Sequence, residues 1–188
     1  MTLHVRDVEG TFELFLYRLS GAAVLDAGIY ESIESDPRAT RQAAAVVLLS
    51  AVAAGIGAGG LIGPRPVVLA AISALALVTW LAWGMLMFQI GARLLPEPQT
   101  SATLSELLRT TGFAASPGLL QVFAILPGMA IPVFVGVWLW MIGAMIVGVR
   151  HALDYQSTGR AVAVCVVAAA LALVMAFGFG AIFSPVVS

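Results

Sequence analysis

The chain has 188 residues, is 61% hydrophobic and carries only 10% charged residues, whereas a soluble domain carries about 25%. Most of its surface must therefore face something other than water. A net charge of −1 is too near neutral for a nucleic-acid partner, and Cys165, the only cysteine, excludes an intramolecular disulfide framework.

In chain order, residues 1–41 read as an amphipathic leader at the cytoplasmic surface or interface. Phe12, Phe15, Leu16 and Leu19 recur at helical spacing and predict one apolar face, with Glu13 and Arg18 off it. Leu25, Ile29 and Ile33 repeat the pattern, and helices of this kind lie in the headgroup plane or cover one end of a bundle. Acids recur through the leader from Asp7 to Asp36, so a cleavable signal peptide is not expected. Asp36 followed by Pro37 predicts an N-cap and first helical residue.

Residues 42–185 then hold five apolar stretches, Ala43–Gly63, Val67–Ile90, Thr111–Pro127, Ile131–Val149 and Ala161–Phe183. A bilayer core of about 30 Å needs about 20 helical residues, and only the third stretch is short. Its Ser116, Pro117 and Gln121 predict a kinked helix buried among its neighbours, which must satisfy the backbone groups that the proline frees. Leu126-Pro127-Gly128 predicts a tight turn, Pro132 suits a first helical turn, and Thr103 with Glu106 predicts a capping box opening the helix that feeds the third stretch.

Charge decides the number of crossings. All nine basic residues are arginines, which together with abundant Ala, Gly and Val suggests a bacterial source. With five crossings, Arg6, Arg18, Arg38, Arg41, Arg93, Arg109, Arg150 and Arg160 share one side and only Arg65 falls on the other. If the third stretch fails to cross, the split becomes six against three. Cytoplasmic loops collect Arg, so the expected fold is an all-α integral membrane bundle of five transmembrane helices. Its N-terminus would be cytoplasmic and its tail, Ser184–Ser188, outside, in a bacterial inner membrane.

No Asp, Glu, Lys, Arg or His lies well inside a predicted span, which argues against an ion-coupled transporter. Ser116 and Gln121 are the notable polar residues at depth, and interhelical hydrogen bonding is their favoured role. Gly55 and Gly59 in the first span, and Gly143 with Ala144 in the fourth, predict close helix packing, within the chain by default and between copies as an alternative. Trp80, Trp83, Trp138 and Trp140 are expected to fill space between helices. His4 and His151 are far apart and no Cys/His cluster exists, so neither a metal nor a cofactor is expected. At the end of the fourth span, Arg150 and His151 suit a helix C-terminus, and Asp154 is placed to pair with Arg150.

Three elements resemble a known family. They are Glu106-Leu107-Leu108-Arg109 through Gly112-Phe113-Ala114 to Pro117-Gly118-Leu119-Leu120; Arg150-His151-Ala152-Leu153-Asp154-Tyr155 with Ser157-Thr158-Gly159-Arg160-Ala161; and Tyr30 with Asp36-Pro37-Arg38-Ala39-Thr40. In this order they look like the bacterial branch of the Yip domain family of five-span membrane proteins, over roughly residues 20–180. The resemblance implies a multi-pass protein with a cytoplasmic N-terminus, and the family's eukaryotic members bind Rab-type GTPases. The Asp-Leu-Tyr-Gly-Pro signature of those members is absent here; Leu25-Asp26-Ala27-Gly28-Ile29-Tyr30 stands nearest to it. The expected function is therefore a non-enzymatic protein that binds membrane or cytoplasmic partners or organises lipid. Arg150, His151, Asp154, Tyr155, Arg160, Glu106 and Arg109 are its candidate partner-binding residues. The competing expectation is a small transporter or permeation protein with a site at Ser116, Pro117 and Gln121, because interrupted helices line substrate sites.

Overall fold

A computed structural model describes residues 2–62 and 66–183, with side chains described within 10–58, 66–71 and 73–175. Arg65 and the tail 184–188 lie outside the described residues, as do the side chains of His4 and Arg6. Among the described residues seven α-helices form in order: α1 (Thr2–Ala23), α2 (Ala27–Ser35), α3 (Ala39–Ile62), α4 (Pro66–Phe88), α5 (Leu104–Phe113), α6 (Ala130–Ala152) and α7 (Thr158–Phe183). A π-helical turn, Gln89–Leu94, extends α4, and a 3-10 segment, Ser116–Ile125, follows α5. No strand occurs among the described residues. Among the described residues four segments are long and apolar enough to cross a membrane: Ala39–Ala58, Pro66–Leu94, Ala130–Ala152 and Thr158–Met175.

Local signals set most element ends. Both halves of the capping box form, with the Thr103 N–H donating to Glu106 Oε2 at 2.6 Å and the Glu106 N–H to Thr103 Oγ1 at 3.3 Å. Asp36 and Pro37 are not the expected N-cap and first helical residue: Asp36 ends α2 and accepts the Arg38 N–H at 2.9 Å in a turn, and α3 begins only at Ala39. The Met129 N–H closes on the Leu126 carbonyl at 3.0 Å, with Gly128 at φ 74°, the positive value that a turn with Pro at its second and Gly at its third position requires.

The third apolar stretch is not the single kinked α-helix expected from its sequence. α5 stops at Phe113, and Ser116-Pro117-Gly118 opens the tighter 3-10 segment. Pro117 has no N–H to continue the α-helical ladder, and the Ser50 hydroxyl takes the Ala115 carbonyl at 2.6 Å. The segment lies against α3 in parallel register: Gly112 beside Ala43, Gly118 beside Ser50, Gly57 beside Gln121 and Ala124. A Cβ at Gly57 would collide with the Gln121 carbonyl oxygen. That contact needs glycine because backbone, which cannot swing aside, stands opposite.

The leader also differs from expectation. Its helices are built into the bundle, where Ala22, Ile29, Tyr30 and Ile33 share a core with Ala39, Ala43, Val46 and Phe113. Phe15 and Leu19 face that core as expected, but Phe12 and Leu16 point outward and Arg18 points in, 4% exposed. A salt bridge explains the reversal: Arg18 Nη1 lies 2.9 Å from Asp36 Oδ2.

A second core joins Met87 and Ile90 at the end of α4 to Leu107, Val149, Leu153 and Tyr155, and to Ala161, Val164 and Ala168 of α7. Trp80 and Trp83 pack against the two cores, whereas Trp138 is exposed. Gly55 faces Leu69 of α4, and Gly143 lies beside Leu25.

Candidate functional site: the charged end of the bundle

Polar side chains from five parts of the chain converge at one end. They come from α2, the connection 95–103, the start of α5, the end of α6 and the turn 153–157. Tyr155 is the inward anchor. It is buried, and its hydroxyl, with one proton to share, lies within hydrogen-bond distance of the carbonyls of Gly91, at 2.8 Å, and Leu95, at 2.7 Å. Those carbonyls lie at the π-helical turn, where the Leu95 N–H reaches back to Ile90 at 2.8 Å. The wider turn frees carbonyls that an ordinary α-helix would pair, and Tyr155 takes them. Burial is the main cause of its raised phenol pKa; nearby Glu97 adds to the rise and Arg160 opposes it.

Glu97 is the outward hub. Its carboxylate accepts the Gln156 N–H at 3.1 Å, is bonded by Gln99 and faces Arg160 Nε at 3.3 Å. Arg160 Nη1 also donates to the Pro96 carbonyl at 3.0 Å. The sequence reading missed Glu97 as a site residue. The available signal was an acid held between Pro96 and Pro98, which restrict the backbone to extended conformations.

Arg150 donates through Nε to the Tyr155 carbonyl and through Nη2 to the Gln156 carbonyl, both at 3.2 Å. It thus closes the turn at the end of α6. The bonds recorded for Asp154 lead elsewhere than the expected Arg150: its carboxylate accepts from Ser101 Oγ at 3.1 Å and its carbonyl from Gln99 at 3.3 Å. A positive φ of 53° at Asp154 turns it away from α6. The His151 ring lies parallel to Tyr30, 8° between planes and 6.3 Å between centroids, tying α6 to α2.

Arg109 is buried and bonded to the Glu34 carbonyl, with Glu106 Oε1 at 3.9 Å. It braces α5 against α2 and offers no free surface. Glu34 is held with its carboxyl pKa raised to about 7, first by burial and then by the nearby carboxylates of Asp154, Glu106 and Glu31, with Arg109 opposing. Asp36 shows the opposite outcome. Burial pushes its carboxyl up, but the Arg38 N–H and the Arg18 guanidinium outweigh that and leave it below its ordinary value.

The expected partner-binding residues therefore fall into two sets. Arg109 and Tyr155 face inward and hold the end together, with half-buried Arg150, His151 and Glu106 beside them. Asp154 and Arg160 are exposed, next to exposed Gln99, Ser101 and Gln156.

The intramembrane candidates lie elsewhere. Ser116 and Pro117 are buried at the helix break, and the Ser116 hydroxyl has no hydrogen-bond partner. Gln121 is half-buried. Apolar clefts flank the break, one between α1 and Pro117, Leu119 and Leu120, the other between Phe123 and α6; Gln121 lines neither. Among the described residues, no group of three His, Cys, Asp or Glu side chains is placed to hold a metal ion. Comparison with protein families, with curated proteins and with solved structures finds no match.

Proposed function

We propose that this multi-pass membrane protein is a non-enzymatic, Yip-type protein that captures partner proteins on its charged end. The single observation that carries the reading is the stitched surface around Glu97. Two loops far apart in sequence are locked together there, so that Gln99, Ser101, Asp154, Gln156 and Arg160 form one preorganised polar patch. Preorganised surfaces bind with less ordering cost. In this reading the charged end is cytoplasmic in a bacterial inner membrane, because Arg38, Arg41, Arg93, Arg109, Arg150 and Arg160 gather near it.

The reading includes a fifth crossing by α5 and the 3-10 segment. Support comes from their parallel course along α3 and from a helical length beyond Arg109 of about 26 Å at the rises of the two helix types, close to the hydrocarbon thickness of about 30 Å. Reporters fused to the two ends of the chain should light up in opposite compartments; the same compartment for both would remove the fifth crossing.

The test of partner capture is crosslinking in the source membrane. Asp154→Arg together with Arg160→Glu should leave insertion unchanged and abolish specific crosslinks formed from Gln156. Unchanged crosslinks would overturn the reading.

A further inference from the structure

We propose that α1 and α2 form a hairpin immersed in the hydrocarbon of one leaflet, the leaflet at the charged end, with lipid acyl chains covering the outer face of α1. The inference rests on the proposed placement of that end at a membrane surface and adds an interaction surface to it.

The first observation is inverted polarity. On the inner side of α1, Arg18 is bonded to Asp36 at 2.9 Å and to Gln42 at 3.1 Å. On the outer side, Leu16 is 44% exposed and Tyr17 64%, and Val24 in the turn that follows is 69% exposed. Glu13 and Ser20 are exposed on that side as well and Phe15 and Leu19 face inward, so the departure from a helix resting against water is confined to buried Arg18 and to this run of exposed apolar residues toward the end of α1.

Depth is the second. The Trp140 indole N–H donates to the Ala23 carbonyl at 2.7 Å, fixing the end of α1 to α6 at that level. Arg150 stands ten residues further along α6, or about 15 Å, which is half of a hydrocarbon core of about 30 Å. From Phe15, which packs on Phe113 with ring centroids 6.4 Å apart, α1 descends beside the 3-10 segment to that middle level, and α2 climbs back to Asp36.

The third is the chemistry of the tip. Backbone groups in hydrocarbon must be satisfied internally. Here the Asp26 N–H reaches the Gly21 carbonyl at 3.0 Å and the Leu25 N–H reaches Ala22 at 3.2 Å. This is a helix-ending motif that ordinarily places glycine at the left-handed residue. Leucine occupies it, Leu25 at φ 62°, with its side chain set against Gly143. Asp26, exposed at the tip, uses its carboxylate as the cap of α2, accepting the Gly28 N–H at 2.9 Å and the Ile29 N–H at 3.2 Å, bonds that offset part of the cost of a carboxylate below the headgroups. The Ser20 hydroxyl is satisfied by the Tyr17 carbonyl at 3.0 Å and the Tyr30 hydroxyl by Ala22 at 3.3 Å. Because the hairpin stops halfway, it widens the protein in one leaflet only.

The test uses the full chain with Cys165→Ala, reconstituted in phospholipid vesicles and labelled with a small fluorophore at one introduced cysteine: Leu16→Cys, Val24→Cys, Arg38→Cys or Leu173→Cys. Lipids brominated on their acyl chains should quench the labels at 16, 24 and 173, with the label at 24 most sensitive to bromines near the chain ends. Aqueous iodide should quench only the label at 38. Iodide quenching at 24 equal to that at 38 would overturn the proposal, and so would protection from both quenchers, which would mean that protein covers this face. If 173 is quenched by bromine and 24 is not, the hairpin fails while the membrane reading stands. If 173 also escapes bromine, both fail.

Discussion

At the charged end, neighbouring elements meet through long side chains. Tyr155 reaches the π-helical turn, Arg160 reaches Glu97 and Arg109 reaches the Glu34 carbonyl. Away from that end, α3 and the 3-10 segment meet through missing side chains instead, with Gly57 against the Gln121 carbonyl and Gly118 against Ser50. The first region borders water, where a polar contact competes with solvent and its net contribution is modest. The second has no solvent to fall back on, so close packing carries the contact. The two should therefore respond very differently to substitution.

Gly57→Leu tests the packed region and should have the largest effect. Opposing backbone cannot give way, so the cost should be about 3 kcal/mol, read as a large fall in melting temperature in detergent. A fall no larger than that of an exposed control such as Val67→Ala would mean that the contact is not close. Arg18→Met comes next, at about 2 kcal/mol, because it leaves Asp36 without its main counter-charge. Adding Asp36→Asn should recover part of the loss, and no recovery would dissociate the pair. Tyr155→Phe should cost about 1–2 kcal/mol by leaving carbonyls of the π-helical turn unpaired; hydrogen exchange at Leu95 should rise while that at Gly57 stays constant.

The charged end should also depend on pH where the packed region does not. Glu34 has a folded-state value of about 7 against an ordinary 4.5. The folded protein therefore keeps a proton that the unfolded chain releases across that interval, and stability falls as pH rises through it. After allowance for solvent, the loss should be about 1 kcal/mol, and Glu34→Gln should abolish it. A Glu34→Gln melting profile with the same slope as wild type between those values would remove this assignment. Gln121→Leu should have the smallest effect, within about 0.5 kcal/mol, with no change in solute flux in proteoliposomes; flux that disappears in this variant would favour a transport site at the helix break.

Legibility in the sequence followed the range of the interactions. The Thr103–Glu106 box, the Leu126–Met129 turn and the four long apolar helices depend on residues a few positions apart or on uninterrupted composition, and all were readable. The facing of α1 was not. Its periodicity specified an amphipathic helix but not which side the surroundings would take, and Asp36, eighteen residues away, turned Arg18 inward. At the third stretch Pro117 announced a break, but the 3-10 form was accompanied by a hydroxyl from Ser50 and by Gly57 of α3. Glu97 looked like an ordinary loop acid until the turn after α6 was folded against it. Arg109 and Tyr155 looked like surface residues and are buried.

Composition and short-range pattern by themselves determined that this chain is helical and that it is apolar enough for a membrane. Both follow from backbone hydrogen bonding and from the length of an apolar run, which are local quantities. Tertiary structure decided which side of α1 faces inward, how the third stretch is wound and which charges are braces rather than surface. Each of those depends on a partner brought close only by folding.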